Sequence, residues 1–168
     1  MSDYLENNIQ SQEIAVGKSA AVVQNNGFSI KLQNAADGME VLELSVDKLV
    51  EIANFLKMNE NTRFDILFSV SGIDTGEHFV VAYHLYSSDF NNNVMLKVRV
   101  DKSNPEVDSL SHIYSAANWH ERETFDLLGI KFNNHPDLKR ILLPNDWVGH
   151  PLRKDYIMND SRLVWNER

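Results

Sequence analysis

Val94-Met95-Leu96-Lys97-Val98-Arg99-Val100 alternates without a break, with Val94, Leu96, Val98 and Val100 on one side and Met95, Lys97 and Arg99 on the other. A period of two is the strand repeat, and one apolar face backed by a polar one is the pattern of an antiparallel sheet covered on one side. Upstream, Phe64–Val70 and Phe79–Tyr86 read as two more strands, with Gly72 and Gly76 punctuating one connection and Asn91-Asn92-Asn93 the next. Phe28–Leu32 and Met39–Leu44 make five, joined around Asp37-Gly38, a hairpin-type dipeptide.

Helical spacing takes over elsewhere. Val46, Leu49, Val50, Ala53 and Leu56 form one apolar stripe behind Ser45, a good N-cap, with Asp47 favourable in the first turn. Lys18 to Asn25 reads as a short helix ended by Asn25-Asn26-Gly27. A second long helix is expected from about Ser111 to Leu128, with Gly129 at the position where a left-handed glycine terminates helices. Beyond it, His135-Pro136 and His150-Pro151 push both histidines toward extended backbone. The fold class expected is therefore α+β: a single domain with a mostly antiparallel sheet of about five strands, two main helices and an extended irregular C-terminal arm. Residues 1–132 make the domain, with polar residues 1–14 flexible, and residues 133–168 the arm.

The bulk numbers suit one domain of 168 residues, 43% hydrophobic. The absence of cysteine excludes disulfides, Cys-ligated zinc or iron–sulfur clusters and thiol catalysis by this chain. No apolar run reaches the ~18 residues of a membrane span, and the acidic start Met1-Ser-Asp-Tyr-Leu-Glu has neither a signal nor a transit pattern. The chain is expected to be soluble and made where it works. Its net charge of −8 is carried by residues 1–119, which hold 16 acidic and 8 basic side chains, whereas residues 120–156 hold six of each. That balance disfavours nucleic acid as a partner and makes the C-terminal segment the expected contact surface.

In that segment charge is packed between short apolar runs, from Trp119-His-Glu-Arg-Glu through Trp147 to Tyr156. His120, Glu123, His135 and His150 are metal-ligand types, but no His-Glu-x-x-His spacing orders them. A stand-alone metal-dependent hydrolase is the enzyme they would make. Glu121, Glu123 and Asp126 are candidates for an acid/base pair. Arg122, Arg140 and Arg153 are equally abundant, so an ion-pair lattice accounts for the same residues more simply. Lys139, Arg140, Arg153 and Lys154 lack a glycine-rich phosphate loop beside them, and an adaptor that takes an acidic peptide is the remaining use of their charge. Trp119, Trp147 and Trp165 suit interface anchors. The residues alone read as a binding module.

Glu121-Arg-Glu-x-x-Asp126-x-x-Gly129-Ile-x-Phe132-x-x-His135-Pro136-Asp-Leu-x-Arg140-Ile-Leu closely resembles the signature of the thirty-kilodalton subunit of respiratory complex I. That family comprises the C subunit of the bacterial NADH–quinone oxidoreductase and the J subunit of cyanobacterial and plastid forms. Gly149-His150-Pro151-Leu152-Arg153-Lys154-Asp155 matches the closing motif of that family. The likeness covers about residues 60–156, and residues 1–60 only in element order. Leu128 departs from it, standing where the family more often has an aromatic residue. The end of the chain a dozen residues after Tyr156 resembles the short form, not the form fused to the larger quinone-site subunit.

The resemblance implies a peripheral-arm subunit without catalytic residues, metal or cofactor of its own. FMN, iron–sulfur clusters and quinone would sit on other subunits. It also implies packing against the quinone-site subunit and iron–sulfur subunits, on the cytoplasmic face of the inner or thylakoid membrane. Ion-pumping membrane hydrogenases and ferredoxin- or F420-linked complexes carry similar subunits, which leaves the electron donor open. The residues expected at the partner interface or in the ion-pair lattice are Glu121, Arg122, Glu123, Asp126, His135, Arg140, Trp147, His150, Arg153, Lys154 and Asp155.

Overall fold

A computed structural model describes residues 18–35 and 38–157, so the expectations for residues 1–14, Asp37 and Trp165 lie outside the described residues. The chain runs α1 (Lys18–Asn25), β1 (Lys31–Asn34), β2 (Glu40–Leu44), a 3-10 turn (Val46–Lys48), α2 (Leu49–Met58), β3 (Ile66–Asp74), β4 (His78–Ser87), β5 (Asn92–Asp101), β6 (Glu106–Asp108), α3 (Ala117–Leu128) and β7 (Lys131–Asn133). Five strands form one sheet in the order β1-β2-β5-β4-β3. Every pairing in it is antiparallel except β2 with β5, which is parallel because the chain returns to β2 only after α2 and the β3–β4 hairpin. The α+β class and the mostly antiparallel sheet are as expected.

Alternation decides which side is covered. Val94, Leu96, Val98 and Val100 of β5 lie opposite Leu85, Tyr83, Val81 and Phe79 of β4, and all eight are buried. Leu49, Ile52, Ala53 and Leu56 of α2 and Ala117 and Leu128 of α3 belong to the same core cluster. Burying each of the large aliphatic chains of α2 stabilises the fold by roughly 1.5–3 kcal/mol. Ile52, fully buried, extends the stripe expected from sequence by one more residue.

Several details differ from expectation: the first strand is Lys31–Asn34, and Ser45 makes no side-chain cap bond but precedes the 3-10 turn, the α-helix itself starting at Leu49. The last helix begins at Ala117, not Ser111. Tertiary bonds hold Ile113 and Tyr114 in turns instead: Lys57 Nζ donates to Ile113 O at 2.5 Å and Tyr114 OH to Phe64 O at 2.8 Å. Gly72 lies inside β3, not in a connection, because α3 crosses there: a Cβ on it would stand 2.5 Å from Leu128 Cδ1 and 2.7 Å from Thr124 Cγ2. Finally, β6 and β7 pair in parallel as a small second sheet, with Val107 and Phe132 buried beneath it.

Candidate functional site

An α-helix leaves its last four carbonyls without partners of its own. At the end of α3, Gly129 adopts φ 71° and its N–H closes on Phe125 O, so the carbonyls that follow face outward. The arm fills them. His150 Nδ1 lies 2.9 Å from Asp126 O, and Leu152 N donates to Leu127 O at 3.0 Å. Arg153 Nε donates to Leu128 O at 2.6 Å and its Nη2 to Gly129 O at 3.4 Å. Two cations, Arg140 and Arg153, thus sit against the negative end of the helix dipole, where they are favoured. Gly129 is needed here for space as well as for φ, since a Cβ would stand 2.5 Å from the His150 ring and 2.6 Å from Arg153 Nη2.

Asp126 is the second anchor. Its Oδ2 accepts three consecutive backbone N–H groups, from Ile141 at 3.0 Å, Leu142 at 2.8 Å and Leu143 at 2.9 Å. Its Oδ1 takes Arg140 Nη1 at 2.7 Å, and Arg140 Nη2 reaches on to Gly149 O at 3.1 Å. Burial raises the pKa of this carboxyl, but the three amides and the guanidinium outweigh it and hold the group below its ordinary range. Arg122, one turn earlier on α3, donates to Lys139 O and Arg140 O and so ties down the segment leading in.

The far end of the arm is fixed to the sheet. Asp74, at the end of β3, accepts Lys154 N at 2.9 Å, Gly76 N at 2.7 Å and Lys102 Nζ at 2.9 Å. Burial opposes ionisation there too, yet these donors bring its pKa down to about 2. Lys154 Nζ also donates to Thr75 O.

Glu121 is engaged differently. It is fully buried, accepting Leu110 N at 2.7 Å and Ser109 Oγ at 2.5 Å. Burial pushes its pKa up to about 7, against the opposing pull of Ser109, Leu110 N–H and His112. His135 Nε2 stands 4.0 Å from it but lies 3.1 Å from Asn118 O, while His135 Nδ1 accepts Asp137 N at 3.1 Å.

Among the residues singled out from sequence, Arg122, Asp126, His135, Arg140, His150, Arg153 and Lys154 therefore all join arm to core within this chain. Asp126–Arg140 is an ion pair. Glu121 is bonded to a loop, not to an arginine, and Glu123 and Asp155 are exposed. Trp147 is partly buried and Trp119 is 69% exposed. His135 and His150 spend ring nitrogens on backbone groups, and among the described residues no three His, Asp or Glu side chains, His120 and Glu123 included, gather as a metal-binding group. Sequence reasoning passed over Asp74, whose isolated position in a strand gave no signal of a contact 80 residues away. It also passed over the outward side of the arm, where Leu142 (60%), Val148 (85%), Leu152 (58%) and Ile157 (76%) are exposed.

Residues 42–162 match the family described as respiratory-chain NADH dehydrogenase, 30 Kd subunit. The chain is 40% identical over 147 residues to the NADH-quinone oxidoreductase C subunit of Mycolicibacterium gilvum, covering 84% of this chain and 65% of that one. It is 40% identical over 149 residues to the C subunit of Geobacter sulfurreducens, covering 80% and 91%. A Buchnera aphidicola relative, named as a C/D subunit, is 43% identical over 118 residues, 64% of this chain and 20% of its own length. Among solved structures, the trypsin-resistant fragment (1-134) of Nqo5 superposes with a TM-score of 0.59 at 24% identity, covering 76% of this chain and 99% of that one. An archaeal respiratory membrane complex, the membrane-bound sulfane sulfur reductase, contains a chain with TM-score 0.66 at 18% identity, covering 89% and 87%. Those two likenesses concern the fold; the family rests on the matched signature and on the relatives named as C subunits. This chain belongs to the 30 Kd subunit family of respiratory-chain NADH dehydrogenase.

Proposed function

We propose that this chain is a structural subunit of the peripheral arm of an NADH–quinone oxidoreductase, docked through the outward side of its C-terminal arm on the quinone-site subunit. The observation that carries this reading is the two-sidedness of the arm. Arg140, His150, Arg153 and Lys154 are spent on the chain's own helix and sheet, while Leu142, Val148, Leu152 and Ile157 are turned to solvent. Leu142 N and Leu152 N are bonded within one residue of each other on α3, at Asp126 and Leu127, so two of these side chains belong to one neighbourhood. Exposed apolar groups gathered this way mark a protein interface. The family supports an assembly, and the double name C/D of the Buchnera relative supports the D subunit, the quinone-site type, as the neighbour.

In this role the chain performs no redox step: FMN, iron–sulfur clusters and quinone are held by other subunits, some of the cluster-bearing ones adjacent. Among the described residues no helix is long and apolar enough to cross a membrane, and the chain would reach the cytoplasmic face of the membrane through its complex. The test is affinity purification of the tagged chain from membranes solubilised in mild detergent, followed by mass spectrometry. Co-purification of quinone-site, iron–sulfur and membrane subunits is expected. Recovery of the chain alone would overturn the proposal.

A further inference from the structure

An open sheet has two edges, and each presents a row of backbone N–H and C=O groups that no neighbouring strand pairs. Here the edges are β1 and β3, and they are built differently. β1 has four residues and opens on Lys31, whose side chain is 68% exposed; a short strand with a lysine discourages further pairing. β3 has nine residues, Ile66-Leu-Phe-Ser-Val-Ser-Gly-Ile-Asp74, with no proline and no charge before the last position. Its one guard is the bulge between Leu67 and Ser69, which leaves Ser69 to Ile73 in unbroken register with His84 to Val80 of β4.

Among the described residues, no hydrogen bond reaches the backbone of residues 66–73 from anywhere but β4. On alternate residues of an antiparallel edge the N–H and C=O turn away from the neighbour, so this row is open. The side chains beside it are open as well: Ile66 is 38%, Phe68 59% and Ile73 50% exposed, with Ser71 exposed among them. The edge also runs into the arm. Asp74, its last residue, accepts Lys154 N at 2.9 Å, between Leu152 and Ile157, both exposed. The open edge and the outward side of the arm therefore adjoin at Asp74 and form one continuous surface.

We propose that β3 takes a sixth strand from another subunit of the assembly, an extended segment that pairs antiparallel with Ser69–Ile73 and lays apolar side chains at alternate positions beside Phe68 and Ile73. The inference rests on the chain being a subunit of a larger assembly, and it names a second contact next to the arm. The backbone selects the occupant. Donors and acceptors alternating at strand spacing are matched by another strand, whereas a helix satisfies its own N–H and C=O groups internally. Five residues give about 17 Å of ladder, the length of an ordinary strand. The ladder supplies affinity, and the exposed apolar flank, which carries no charge, supplies specificity.

The test places a photo-crosslinking amino acid at Ser71, exposed at the centre of the regular stretch, in the full chain within cells, and the same probe at Leu152 on the arm. Ser71 should capture a segment of another subunit. Proline put in turn at each residue of that segment should lower the capture about tenfold at alternate residues, whose N–H faces β3, and far less at those between. Alanine at the same residues should leave it within about twofold, because the backbone and not the side chain makes the ladder. The Leu152 capture should persist in every variant. Losses that follow alanine as much as proline, or that show no alternation, would overturn the added strand. Capture of nothing, or of a second copy of this chain, at Ser71 while Leu152 captures another subunit would overturn this inference and leave the arm interface standing. Silence at both positions, with no complex recovered, would overturn both.

Discussion

Three successive amides and a guanidinium converge on one buried carboxylate, Asp126. Asp126→Ala leaves the three amides without an acceptor and Arg140 without its carboxylate, and removing one partner of such a group costs about 3–5 kcal/mol. Chemical denaturation of the free chain should read a loss of this size, with faster trypsin cleavage at Lys139 and Arg140. A loss below ~1 kcal/mol would mean the arm is held mainly elsewhere. Glu121 makes the opposite prediction in pH. Its folded pKa, about 7, lies above the ordinary value of 4.5 that it has in the unfolded chain, so between those values the folded state binds more proton than the unfolded. Stability falls as pH rises through that window, by on the order of 3 kcal/mol in total, and then levels. Glu121→Gln, which keeps an acceptor for Leu110 N–H, should flatten this part of the profile; an unchanged slope would place it on another group. Asp74 and Asp126, with lowered values, act the other way: their contribution is present above their unfolded pKa and is lost on acidification through the folded one, about pH 2 for Asp74.

Between elements, α3 and β3 approach closely only because residue 72 has no side chain. Gly72→Ala would drive a methyl into Leu128 and Thr124 and should cost about 1–3 kcal/mol as α3 shifts. A melting temperature equal to that of the unsubstituted chain would contradict this. The same position marks where sequence reading stopped. Val94–Val100 betrayed its strand because each residue sees a definite face, and Gly129 betrayed the helix end because left-handed backbone selects glycine. Gly72 looked like punctuation because its reason is a helix 52 residues later. Ser111 to Ala116 looked helical because local spacing does not record that Lys57 and Tyr114 bond across the fold. Elements governed by their own period were legible, and those governed by a distant partner were not.

At the scale of the whole molecule, the signature residues were visible in sequence as an unusual density of charge, and most of them are spent inside the chain. Arg140, Arg153, His150 and Lys154 fasten a segment with little regular structure onto α3 and β3, where periodicity has no voice and only the bonds decide the path. What is left exposed is the apolar outer side of the arm, the surface proposed above for a partner, which the charge pattern had concealed. The most direct test is the double variant Leu142→Asp/Leu152→Asp, two exposed positions whose change should leave the free chain folded, with its melting temperature within a few degrees of the unsubstituted chain. Native electrophoresis of solubilised membranes should then read at least an approximately tenfold fall in assembled complex containing this chain. A full complement of complex would contradict the account, because the arm would then be a clasp for its own domain and not the face on which the neighbouring subunit rests.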